Sequence, residues 1–207
     1  SNTASALFTS LPGGNPVSPY NADGTERTGA GGINDYSAQS TFILGASNLT
    51  IVKNLNGTSL ASTTGSDVTI GEIVTYDLRI GLPEGNIPNG FNIVDNLPVG
   101  MSYVSGSVQV LTSSGSGTAP NTLTADFNGT IGTSSISNSG GSGDDVTISF
   151  GATDVAGDNV ADNNAIIIRL QALVLDVPTN TGQSPQTILG NQAGIQLVGG
   201  TLVNSLV

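Results

Sequence analysis

The sequence predicts an all-β protein, a sandwich of about ten strands that follows an irregular N-terminal extension. Short segments in which apolar and polar residues alternate recur along the chain, as in half-buried strands. Turn-forming residues separate these segments, and no stretch shows a convincing helical periodicity. The composition agrees, because 29 glycines and many small polar residues favour strands and turns over helices.

The first 46 residues are predicted to be an extension with little regular structure. A strand is possible over 2–8 and another over 40–45, while the Pro- and Gly-rich stretch 11–20 reads as a loop. Further turns are expected between them. We therefore predict two parts, an extension over 1–46 and a β-sandwich module over 47–207.

The module's strands are predicted from their alternation and from the turns between them. A break in the alternation at Gly71 and Glu72 indicates a β-bulge inside one long strand. This number of short strands with regular turns is typical of an immunoglobulin-like sandwich. The predicted strands cover 49–55, 67–80, 91–97, 103–111, two weaker segments in 121–136, 146–150, 165–176, 191–198 and 201–207.

Charge and composition exclude several classes of function. Fifteen acidic residues stand against four basic ones, for a net charge of −11, so the surface repels nucleic acid and anionic membranes. The chain has no cysteine or histidine, which removes disulfides, thiol nucleophiles, Ser-His-Asp triads and ordinary zinc sites. We expect an extracellular protein with no membrane span and no signal peptide. Because the chain begins at Ser1, we expect a mature or excised portion.

Three polar residues share a strand face with apolar neighbours. Lys53, the only lysine, has the parity of Ile51 and Leu55. Asp95 alternates with apolar residues in the same way in the strand 91–97, and Asn191 does so in the strand 191–198. All three are therefore predicted to point into the core, where a charge is costly unless it is paired or lost.

A lysine, an acid and a carboxamide buried together are the ingredients of an intramolecular isopeptide bond. Burial lowers the pKa of Lys53 and raises that of Asp95, so that both become neutral. The amine then attacks the Asn191 carboxamide while Asp95 stabilises the oxyanion, and ammonia leaves. The other interpretation is a Lys53–Asp95 ion pair beside a hydrogen-bonded asparagine. Parity alone leaves both open.

Four segments resemble the isopeptide-forming modules of bacterial surface adhesins and fimbrial proteins. They are LTIVKNLNG, VTIGEIVTYDLRI, FNIVDNLPVGMSYVSGSVQV and LGNQAGIQL. The chain is similar over about 46–200 to the collagen-adhesin A-type fold and its conserved-repeat relatives. The resemblance implies that Lys53 and Asn191 are the crosslinked residues and that Asp95 is the acid that promotes the bond. It also implies that a module can keep the fold without the bond.

These observations predict a structural subunit or repeat of a surface fibre or adhesin, whose partners are copies of itself or neighbouring modules. The extension 1–46 resembles the tail that follows the last strand in such proteins, so a strand from 1–10 is a candidate to complete a neighbour's sandwich. Alternatively, the extension packs on its own module or is a linker. The alternative function is a ligand-binding adhesin domain for host protein or glycan, possibly calcium-dependent. At most a single-turnover autocatalytic reaction is expected, and not an enzyme.

The remaining acidic residues are weaker candidates for a site. Asp154, Asp158 and Asp162 recur every fourth residue in a predicted loop, where oxygen ligands would suit calcium, although a solvated loop is the simpler interpretation. Glu72 and Asp77 are rival acids for the bond and are expected to be solvated. No other cofactor is predicted.

Overall fold

The computed structural model describes residues 2–7, 37–42, 49–180 and 187–205. The chain divides between residues 46 and 47 into two compact units. Regular structure in the described residues is almost entirely β, in fifteen strands and one 3-10 turn over Ala161–Asn163. In the same ranges no helix has the length and apolarity that crossing a membrane requires. The all-β prediction is confirmed.

The N-terminal unit contains one antiparallel pair of strands. β1 covers Asn2–Leu7 and β2 covers Ser37–Phe42. They pair in register, with Asn2 opposite Phe42 and Leu7 opposite Ser37. The sequence-based prediction over 2–8 matches β1, whereas β2 begins three residues before the predicted strand over 40–45. The loops and turns predicted between them lie outside the described residues.

The module is built on two five-stranded antiparallel sheets that share one core. The first sheet has the order β3-β4-β13-β7, with β8 also paired to β13, and the second has the order β10-β11-β6-β14-β15. The first sheet's strands are β3 (Thr50–Thr58), β4 (Ile73–Gly81), β7 (Met101–Tyr103), β8 (Gln109–Leu111) and β13 (Ala165–Val174). The second sheet's strands are β6 (Phe91–Asn96), β10 (Ser134–Asn138), β11 (Asp145–Phe150), β14 (Gln192–Leu197) and β15 (Val203–Asn204).

A small third sheet joins three short strands in the order β5-β12-β9. β5 covers Gly85–Ile87, β9 covers Gly129–Thr130 and β12 covers Thr153–Val155. The sequence predicts no strand at β5 or β12, because strands of three residues are too short to show an alternating pattern and exist here through pairing with each other.

Alternate residues of the strands fill the core between the two main sheets. On β13, Ile166, Ile168, Leu170 and Ala172 are completely buried. The rings of Phe91 and Phe150 stack with their centroids 4.6 Å apart. Burial of each large apolar side chain contributes roughly 1.5–3 kcal/mol, so this layer supplies the main driving force for folding.

Two of the predicted strands contain turns that the sequence does not indicate. The segment before Ile73 is a turn and not the start of a bulged strand, because Gly71 has φ +84° and Glu72 N donates to Thr69 O at 3.1 Å. The register shift lies instead in β3, between Leu55 and Gly57. The strand predicted over 103–111 is interrupted by a turn in which Gly106 has φ +76°, a conformation that glycine adopts without strain.

Candidate functional site

Lys53 points into the module from β3, an outer strand of the first sheet. Its backbone lies opposite Leu78 of β4, and Ile51 on the same strand face is buried. Only 5% of the Lys53 side chain is exposed. The parity prediction for this residue is therefore matched by the position of its side chain, and the lone lysine needs a partner in the core.

That partner is Asp95 on β6, in the second sheet. Asp95 is completely buried, with Val146 of β11 opposite it on one side and Ala193 of β14 on the other. Lys53 Nζ lies 2.5 Å from Asp95 Oδ1. Lysine and acid thus meet between the two sheets in a charge-assisted hydrogen bond.

Asn191 lies at the start of the strand that flanks Asp95. It precedes Ala193 by two residues, and Ala193 is the register partner of Asp95. Both polar atoms of the Asn191 carboxamide are buried, and no described residue makes a hydrogen bond of ordinary geometry with them; the same is true of Asp95 Oδ2. The carboxamide is nevertheless near enough to Asp95 to lower the pKa of that carboxyl.

Burial brings the pKa values of Lys53 and Asp95 closer together. Desolvation lowers the pKa of Lys53 to about 8, against the opposing charge and hydrogen bond of Asp95. Desolvation also raises the pKa of Asp95, against the opposing effects of Lys53 and Asn191. The neutral pair of amine and acid is therefore populated more than it would be in water. Transfer of one proton between Lys53 Nζ and Asp95 Oδ1, which lie 2.5 Å apart, converts the ion pair into this neutral pair.

Tyr76 completes the surroundings of the lysine. Lys53 Nζ lies over the Tyr76 ring, 4.4 Å from its centroid. The Tyr76 hydroxyl donates to Met101 Sδ at 3.8 Å, which is a weak acceptor. Burial raises the pKa of Tyr76, while nearby Asn191 lowers it. The sequence-based predictions do not name Tyr76; its parity with Leu78 places it on the core-facing side of its strand but indicates no role at Lys53.

A cavity of about 740 Å³ adjoins the site. Lys53, Tyr76 and Asn191 form part of its wall together with apolar residues such as Val74 and Leu189. Asn54 Nδ2 and Asn180 Oδ1 also lie on the wall and are buried without a described partner. The site therefore adjoins a large space instead of being sealed by side chains on every side.

The expectation that Glu72 and Asp77 are solvated was wrong. Glu72 is enclosed by its own loop at the periphery of the module, where its carboxylate accepts from the Thr63 hydroxyl at 2.5 Å and from Thr69 N at 2.8 Å. These hydrogen bonds, the first above all, lower the pKa of Glu72 to about 2. Asp77 pairs with Arg169, its register neighbour on β13, through two contacts at 2.7 and 2.9 Å. Neither acid is placed at Lys53.

The three calcium candidates do not form a cluster of ligands. Asp154 lies within β12, and Asp158 accepts hydrogen bonds from Asn128 Nδ2 at 2.9 Å and Asn163 Nδ2 at 2.8 Å. Across the described ranges, no three acidic side chains converge in a way that would hold a metal ion. Asp162 is exposed in the 3-10 turn. Calcium stays a prediction of the sequence.

No protein-family model matches the chain, and no curated protein matches its sequence. Solved structures with similarity include the major pilin SpaA of Corynebacterium diphtheriae, at 18% identity and TM-score 0.40 over 87% of this chain and 36% of that chain. They also include the C-terminal domain of Streptococcus agalactiae BspA, at 15% identity and TM-score 0.42 over 76% of this chain and 48% of that chain.

A third such structure is the collagen-binding subdomain ACE19 of Enterococcus faecalis, at 15% identity and TM-score 0.35 over 76% of this chain and 90% of that chain. The first three matched pilus proteins are longer, since the chain spans between 23% and 51% of their length. The matches are of the kind that the sequence motifs resemble. These structural matches concern the fold only. The observation that bears on function is the set of contacts made by Lys53.

Proposed function

We propose that the protein is a structural module of an extracellular fibre or surface adhesin, stabilised by an isopeptide bond between Lys53 and Asn191. The observation that carries the proposal is the short Lys53–Asp95 contact beside a buried carboxamide with no described hydrogen-bond partner. A lysine with a lowered pKa is a nucleophile, and a protonated acid activates a carbonyl.

The proposed reaction is balanced without any co-reactant. The proton on Lys53 Nζ passes to Asp95, and the free amine attacks Cγ of Asn191 to form a tetrahedral intermediate. Asp95 then gives its proton to the leaving nitrogen, the C–N bond of the carboxamide breaks, and ammonia departs. The attacking nitrogen passes its surplus proton to Asp95, which ends protonated and neutral. One amide replaces another, and no oxidation takes place. The chain is consumed as its own substrate, so the event occurs once.

The buried ion pair is the competing state of the same residues. It leaves both polar atoms of Asn191 and one oxygen of Asp95 without described partners. The crosslinked form removes the buried charges of the pair, because Lys53 Nζ becomes the nitrogen of the new amide and the carboxamide nitrogen of Asn191 departs as ammonia. This difference favours the bond.

The intact mass of the denatured chain tests the crosslink. We expect a deficit of about 17 Da, one ammonia, in the wild type and the full mass in Lys53→Ala. Peptide mapping after proteolysis should recover a branched peptide that joins residue 53 to residue 191. A wild-type chain at its full mass would contradict the bond and leave the ion pair as the correct description.

We also propose that β1 joins copies of the protein by pairing with a strand of a neighbour. In the structure β1 pairs with β2, and the described side chains of this hairpin, those of Thr3, Ala4, Ser5, Ser40 and Thr41, are exposed. A two-stranded sheet is marginally stable by itself and keeps unpaired backbone groups on its outer edges. Such an edge favours addition of a further strand.

Proline in β1 tests strand addition in the full chain. Ala4→Pro removes a backbone donor from the strand, whereas Ala4→Val keeps it and has high β propensity. We expect wild type and Ala4→Val to form oligomers that grow with concentration, as followed by light scattering, and Ala4→Pro to remain monomeric. Equal assembly of the two variants would contradict a role for β1.

The ligand-binding alternative would depend on the cavity beside the site. Its volume is in the usual range for small-molecule pockets, but Tyr76 is the only aromatic residue among the described wall residues. A glycan or peptide site usually presents aromatic surfaces for stacking. The structural role is therefore the better supported of the two.

A further inference from the structure

We infer that Tyr76 is a positioning residue of the crosslinking reaction, with its ring directing the Lys53 amine and its hydroxyl serving the Asn191 carboxamide. The inference rests on the proposed isopeptide bond. It assigns a role to a residue that neither the family resemblance nor the parity of the strands singles out.

The ring of Tyr76 restricts where the Lys53 amine can go. With Nζ 4.4 Å from the ring centroid and 2.5 Å from Asp95 Oδ1, the amine is held between an aromatic face and an acid. Lysine has a flexible stem whose conformations must be limited before it can react at a defined angle. Tyr76 comes from β4, the strand paired with β3, so the backbone ladder fixes the ring relative to the lysine.

The hydroxyl of Tyr76 is a donor without a strong acceptor. Its partner in the structure is the Met101 thioether at 3.8 Å, which holds it weakly. Tyr76, Met101 and Asn191 line the same cavity wall, and the carboxamide of Asn191 has no described partner for its oxygen. Rotation of the O–H bond toward that oxygen would give the tetrahedral intermediate a second donor besides Asp95.

The pH dependence of the reaction can distinguish the effect of the Tyr76 ring from that of its hydroxyl. Asp95 faces the amine from β6 and Tyr76 faces it from β4, while Asp67 lies on the cavity wall. An aromatic face favours the charged ammonium, so its loss lowers the pKa of Lys53 further. The reaction needs the Lys53–Asp95 pair to hold one proton, because Asp95 must be protonated while Lys53 is neutral. We therefore expect the wild-type rate to fall near pH 8, where the pair loses that proton, and this fall should move to lower pH when the ring is removed.

The test follows ammonia loss by intact mass when full-length chain, recovered unfolded in urea from inclusion bodies at its full mass, is diluted into buffer. We expect Tyr76→Phe to react about a hundredfold more slowly than wild type with the same pH dependence. Tyr76→Leu should be slower still, with its high-pH limb shifted to lower pH. Tyr103→Phe is the matched control, because it removes another buried tyrosine hydroxyl, one that has no described partner and is not among the residues of the site.

A second variant and a fold measurement separate reaction from folding. Met101→Leu keeps the volume but removes the competing acceptor of the hydroxyl, so its rate should equal or exceed that of wild type. In an Asn191→Ala background, Tyr76→Phe should leave the thermal midpoint unchanged. The role of Tyr76 would be overturned, with the isopeptide bond still standing, if Tyr76→Phe reacted within twofold of the wild-type rate. A Met101→Leu variant that reacted ten times more slowly than wild type would have the same meaning. A wild type that never loses mass would overturn both the bond and this inference.

Discussion

Asp95→Ala is expected to have the largest effect on stability of any single substitution in the module. It prevents the bond, whose entropic contribution by analogy with disulfides is about 5 kcal/mol for a loop of about 140 residues. It also leaves the Lys53 amine buried beside an alanine, which costs about 3–5 kcal/mol. Together these losses approach the whole stability of an ordinary domain. We expect a full-mass chain that is largely unfolded, as measured by guanidinium titration and circular dichroism.

A double variant provides the control for Asp95→Ala. Lys53→Met combined with Asp95→Ala removes both the stranded charge and the acid, so we expect the double variant to be more stable than Asp95→Ala alone. Asp95→Asn keeps the shape and a hydrogen-bonding group, and it should show the full mass with a milder loss of stability. If the double variant were less stable than Asp95→Ala, the buried amine would not be the source of the cost.

Asn191→Ala should have the second-largest effect, and it isolates the bond itself. The Lys53–Asp95 pair remains, so the loss is the crosslink alone, about 5 kcal/mol. For a unit of this size each kcal/mol moves the thermal midpoint by about 2–4 °C, and we expect a decrease of about 10–20 °C in calorimetry. The variant should have no mass deficit.

Gln192→Ala is the matched control for that experiment. The neighbouring carboxamide is exposed, and its Nε2 donates to Ser205 O at 3.3 Å. We expect Gln192→Ala to keep the mass deficit and to change the midpoint by a few degrees at most, as surface substitutions do. A midpoint of Asn191→Ala equal to that of Gln192→Ala would argue against a stabilising crosslink.

The inward-facing positions of Lys53 and Asp95 could be read from the sequence because strand alternation has a period of two, whereas Asn191 directly precedes β14. A residue's face follows from its parity once one apolar neighbour is known to be buried, as with Ile51 next to Lys53. The meeting of lysine and acid across the two sheets then follows from the need to pair a buried charge.

The roles of Asp77 and Glu72 could not be read in the same way. Asp77 lies on the outer face of the first sheet and is buried there among Arg169, Asn56 and Thr118, which are distant in sequence. Glu72 is enclosed by a turn that parity treats as strand. The partners of Glu72 come from a loop, and those of Asp77 come from two neighbouring strands and a loop, so alternation along a single strand carries no information about them.

The location of the two residues proposed to form the crosslink has a consequence for how far the module can be lengthened. Lys53 lies near the start of β3, the first strand of the module, and Asn191 directly precedes β14 near its end. Once joined, they enclose about 140 residues whose extended length is roughly 450–500 Å. None of that length can be drawn out by tension on the chain ends, since the tension passes from residue 53 to residue 191 through the bond. A fibre of such modules would keep a fixed contour, and only the segments outside the bond would act as its springs.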